Sequence, residues 1–160
     1  MSIENDGRHD FDFLRGRWHI RNRYLAKRLQ DSTEWLEFEA TGELHQTLGG
    51  LGNVDTFSTP AGADGLPYEG MTVRVFEPET RLWSIYWASD RTGRLEPPVR
   101  GRFEDGRGEF VGEDVLDGRP IVCRFVWSEI TGDSAHWQQA FSADGGATWE
   151  TNWHMFFTRR

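Results

Sequence analysis

From Trp18 onward the sequence alternates apolar and polar residues with a period of two, and it does so almost to Arg159. That period belongs to half-buried strands, whose successive side chains point to opposite faces, and it leaves little of the chain for helix. WHIRNRYL turns Trp18, Ile20, Asn22 and Tyr24 one way and His19, Arg21 and Arg23 the other. WLEFEATGELHQTLGG sets Leu36, Phe38, Ala40, Leu44 and Gln46 against Glu37, Glu39 and Glu43. MTVRVFEPETRLWSIYWAS reads as a hairpin around Pro78, with Met71, Val73 and Val75 on the same face as Trp83, Ile85 and Trp87. VRGRFED, GEFVGEDV and IVCRFVWSEI follow, the last offering Cys123, Phe125 and Trp127 to one side. SAHWQQAFS and TWETNWHMFFTR end the series as a final hairpin.

About nine to ten strands joined by short Gly-, Asp- or Pro-containing turns make an all-β chain. Many consecutive antiparallel strands with one apolar face close most naturally into an up-and-down barrel, because closure removes exposed edges; a sandwich is the alternative. A length of 160 residues suits one domain, 1–160, large enough to bury about two thirds of its unfolded surface. Ahead of the strands, Asn5 or Asp6 caps a short helix over 9–16 at the barrel base. Phe11 and Leu14 share one side of it, and Gly16 ends it. The segment at 58–67, STPAGADGLP, is the one long polar connection, a candidate lid or a disordered tip.

The formal charge of −8 argues against nucleic-acid and anionic-membrane partners, which require a basic face. A single cysteine, Cys123, excludes an intramolecular disulfide. The polar opening MSIENDGRHD has no secretory pattern, and no stretch reaches the roughly 18 apolar residues of a membrane helix. These features lead to the expectation of a cytoplasmic protein. The outer barrel wall is available as a homodimer surface.

SADGGATW, residues 142–149, fits Ser-x-Asp-x-Gly-x-Thr-Trp and resembles the Asp-box that recurs in sialidases and other β-proteins. Gly145 and Gly146 supply the positive φ that a tight turn demands, and the Asp144 carboxylate accepts from backbone N–H groups that follow it. The box occurs once, whereas sialidases repeat it around a propeller. It therefore marks a hairpin and says nothing of sugar chemistry.

FDFLRGRW, RLWSIYW and SADGGATWETNW, taken in order, resemble bacterial lipocalin-like domains of the calycin superfamily that have no assigned function. The resemblance implies that Trp18 packs across the barrel base with Arg159 lying over it as a structural plug, a cation–π contact of about 0.5–2 kcal/mol.

If the final hairpin is symmetric about Gly145, Trp137 pairs with Trp153, Gln139 with Thr151 and Phe141 with Trp149, while His136 and His154 share the outer face. A bulge at the turn would shift that register. The interior then collects Met71, Trp83, Trp87, Trp127, Trp137 and Trp153 with Tyr24, Gln46, Gln139 and Thr151 as polar groups. These are the candidate ligand-binding residues. Mostly apolar walls with scattered hydrogen-bonding groups are what small-molecule pockets look like, although the same aromatics would also fill a solid core.

Three functional readings follow. The first is binding of a small hydrophobic or aromatic molecule, with no cofactor. The second is a calycin-type cyclase or isomerase in which Tyr24 and Gln139 guide the substrate. The third, implied by resemblance to nitrobindin-like barrels, is haem binding through His154. No His-x-His, His-Glu-x-x-His, phosphate-loop or nucleophile-elbow spacing is present, so no metal or nucleotide site is expected.

Overall fold

The computed structural model describes residues 5–160. Ten strands follow one another: β1 (Gly16–Leu25), β2 (Trp35–Thr47), β3 (Gly52–Thr59), β4 (Tyr68–Glu77), β5 (Leu82–Ser89), β6 (Val99–Glu104), β7 (Arg107–Leu116), β8 (Arg119–Ser128), β9 (Ser134–Ser142) and β10 (Glu150–Arg159). Each pairs antiparallel with its sequence neighbours, and β1 pairs with β10, so the sheet closes into a barrel without edges. No described helix is long and apolar enough to cross a membrane.

The expected helix over 9–16 is instead a turn and one 3₁₀ segment, Asp12–Leu14. Gly16, at φ +95°, swings the chain directly into β1 and leaves no room for further turns. This short lead-in still plugs one end of the barrel. Phe11, Leu14 and Trp18 are each only 1% exposed. The Trp18 indole donates to the Leu14 carbonyl at 2.9 Å. The Arg159 guanidinium lies 4.2 Å above the Trp18 ring and donates to the carbonyls of Phe13, Arg15 and Gly132. The connection at 60–67 is a folded turn: Gly62 and Gly65 are hydrogen-bonded within it, and the Leu66 N–H donates to Asp64.

Two register details differ from the sequence expectation. On β4 the inward residues are Thr72, Arg74 and Phe76, while Met71 is 40% exposed and Val75 36%. The cause lies in the β4–β5 turn, which pairs Phe76 with Trp83, Arg74 with Ile85 and Thr72 with Trp87. Directly paired residues share a face, so burying Trp83 and Ile85 also turns Arg74 inward. On the last hairpin Trp153 pairs with Gln139 and Met155 with Trp137, two residues away from the symmetric register, with a bulge between Thr151 and Trp153. A shift of two keeps Trp137, Gln139 and Trp153 inside. Past the bulge Thr151 pairs with Ala140 and falls on the outer face, while Asn152 is fully buried and accepts a hydrogen bond from Gln139 at 2.8 Å.

The turn between β9 and β10 has the expected construction. Ser142 donates to Asp144, which accepts from the Thr148 N–H at 2.9 Å and the Thr148 hydroxyl at 2.5 Å. Gly145 and Gly146 have φ of +72° and +95°. The Thr148 hydroxyl and the backbone donors hold the Asp144 carboxyl down at about 2. Because the folded state prefers the carboxylate, this contribution to stability is complete above the ordinary value of 3.8 and is lost as pH falls through about 2. Asp144→Asn is expected to lower Tm at neutral pH, with the gap to wild type narrowing between pH 4 and 2. Melting curves that coincide at neutral pH would count against it.

Candidate functional site: an aromatic cavity with a charged floor

The barrel interior holds a partly open cavity of about 600 Å³. Its walls come from inward positions on several strands: Tyr24 of β1, Phe57 of β3, Trp87 of β5, Phe125 of β8, Trp137 of β9 and Trp153 of β10. Trp153 is the hub. It packs edge-on against Trp137 at 5.5 Å, Trp87 at 6.2 Å and Phe57 at 6.2 Å, and its indole N–H donates to buried Asn22 at 3.0 Å. With the ring nitrogen satisfied across the β1–β10 seam, the indole faces offer an apolar, polarisable surface to a guest.

Towards the end opposite the plug, Tyr24 accepts a hydrogen bond from Arg28, whose guanidinium lies 4.4 Å from the Tyr24 ring and 5.3 Å from Phe141. The adjacent Leu29 N–H is held by Glu150 at 2.6 Å, fixing this loop to β10. Tyr68 also lines the cavity, and burial raises the pKa of its phenol, which keeps it neutral. Burial pushes the Cys123 thiol up to about 12, so it is a packed thiol and not a nucleophile.

At the plugged end, Arg74 and Asp55 both line the cavity. Arg74 is 4% exposed, and its Nη1 donates to Asp55 at 2.6 Å and to Asn53 at 3.0 Å. The guanidinium sits 5.0 Å from the Phe11 ring and 5.9 Å from Trp127. Aromatic faces on that side partly replace the water the cation gives up. The Arg74 Nε and Trp127 Nε1 donors are buried without partners among the described residues.

Of the residues singled out in the sequence, Tyr24, Trp87, Trp127, Trp137, Gln139 and Trp153 line this cavity. Four others do not. Trp83 is 2% exposed beside the plug, its indole donating to the Gly7 carbonyl at 3.1 Å. Gln46 lies exposed near the base, where it donates to Asp12 at 2.9 Å, because β2 runs past the barrel rim there. Met71 and Thr151 are on the outer wall for the register reasons given above.

His154 is outside as well. Its Nδ1 meets Nε2 of His136 at 2.9 Å, and it packs against Trp35 at 5.4 Å. Burial lowers the pKa of both imidazoles. An iron held in the cavity would find no ligand in His154. No group of three or more metal-ligating side chains stands together among the described residues.

Sequence reasoning missed Arg74, Asp55 and Arg28. The alternation rule placed the valines of β4 inside, and only the pairing of Phe76 with Trp83 shows otherwise. The sequence matches no protein-family model and no curated protein.

Proposed function

We propose that this chain is a calycin-like binding barrel that takes a small, largely apolar or aromatic molecule into the cavity bounded by Trp87, Trp137 and Trp153. The observation that carries this reading is the cavity itself. Its volume of about 600 Å³ falls within the range of small-molecule sites, and its lining is mostly apolar, rich in aromatic side chains, with charged groups such as Arg28, Asp55 and Arg74 among them. A solid core would have its indoles packed against one another at native density, leaving no space of this size.

Three wall tryptophans report directly on occupancy. Titration with a panel of bicyclic and tricyclic aromatic molecules is expected to change the indole emission in a saturable way. Trp137→Ala should weaken the best binder by about tenfold, through lost contact area and edge-to-face packing. An emission spectrum indifferent to every member of the panel would defeat the proposal.

A further inference from the structure

The Asp55–Arg74 pair bears on which guest the cavity prefers. A buried ion pair contributes little net stability, and well-packed apolar residues of similar volume do as well or better. This one lines the cavity, its arginine on a strand whose Val75 is 36% exposed, and it leaves hydrogen-bonding capacity unspent. Both bonds of the guanidinium run through Nη1, so Nη2 has none, and Asp55 uses Oδ2 towards Arg74 while Oδ1 has none. The pair therefore leaves the Nη2 donors and the Asp55 Oδ1 acceptor without partners, in addition to the buried Nε.

We infer that the cavity floor selects an uncharged ligand that carries a hydroxyl or a comparable donor–acceptor group at its buried end, such as a phenol or an alcohol on an aromatic or alicyclic body. This rests on the ligand-binding reading above. A hydroxyl donates to Asp55 Oδ1 and accepts from Arg74 Nη2, giving each group a partner at once. A carboxylate does worse. Asp55 already neutralises the guanidinium at 2.6 Å, and a second anion there would face Asp55 in a poorly solvated site. A purely apolar guest leaves both groups without partners.

Three ligands of one shape separate these cases: 2-naphthol, 2-methylnaphthalene and 2-naphthoate, titrated calorimetrically at pH 7. The expected result is that 2-naphthol binds about tenfold more tightly than 2-methylnaphthalene, in keeping with hydrogen bonds to charged groups, and that 2-naphthoate binds most weakly. In the Asp55→Leu/Arg74→Met double variant the hydroxyl advantage should vanish while 2-methylnaphthalene still binds. If 2-methylnaphthalene binds wild type as tightly as 2-naphthol, or 2-naphthoate binds best, the floor does not select as inferred, yet the binding barrel stands. If none of the three binds, both readings fall. The wild-type comparison decides the matter even where the double variant does not fold.

Discussion

Arg74→Met is expected to lower the unfolding free energy by about 3–5 kcal/mol, because it strands the Asp55 carboxylate inside the barrel without its cation. Arg74 and Asp55 have side-chain exposures of only 5% and 17%, so water cannot take over the role of the guanidinium without entering the cavity. Such a loss is a large fraction of the roughly 5–15 kcal/mol that a domain possesses. It should appear as a Tm drop of about 10 °C or more. The Asp55→Leu/Arg74→Met double variant should recover most of it, since no charge then remains to be solvated. The residual deficit of about 1–3 kcal/mol would belong to Asn53, whose side-chain carbonyl loses the same donor. Urea unfolding of the single and double variants measures both numbers. A single variant as stable as wild type would mean that Asp55 is effectively in water, and the charged floor would have no energetic basis.

The second large effect concerns the plug. Phe11→Ala should cost about 3–5 kcal/mol, the range for truncating a buried aromatic residue. Phe11 is not on a strand, yet its ring meets Trp83 at 5.0 Å, Phe103 at 4.9 Å, Phe110 at 5.7 Å and Trp127 at 6.2 Å. It also lies under the Arg74 guanidinium. Surrounding strands are fixed by their ladders and cannot collapse into the space left, so the cavity term is large. Thermal or urea denaturation would show this, and a loss below about 1 kcal/mol would mean the lead-in segment merely rests on a barrel that is complete without it.

These two residues also mark how far the sequence could be read. Strand number, antiparallel order and closure followed from alternation and turn chemistry, because those signals are local. The inward faces of β1, β2, β5, β8 and β9 followed too, since each carries several bulky apolar residues in alternation on that face. β4 did not. Its valines and methionine looked like the core face, and the determining fact was a pairing with β5 through a turn whose length fixes the register. The β10 register failed for a related reason: the bulge at Asn152 has no composition signal, and it moved Thr151 to the outer wall while leaving Trp153 inside. The aromatic walls were therefore legible from residue type alone. The polar floor depended on which strand positions oppose one another, and alternation is silent on that.

The seam between β1 and β10 has a kinetic consequence. Every other pair of strands is a hairpin or a short connection that zips from its own turn, whereas this pair has no turn. The Asn22–Trp153 hydrogen bond that crosses it joins residues 131 apart. Closing so long a loop comes late and slowly, so the encounter of these two strands sets the pace of folding. Until they meet, two unsatisfied ladders stand open on the same molecule, and at high concentration the first complement each encounters can be the matching strand of another chain. Refolding yield should accordingly fall with protein concentration, through strand exchange at this one joint.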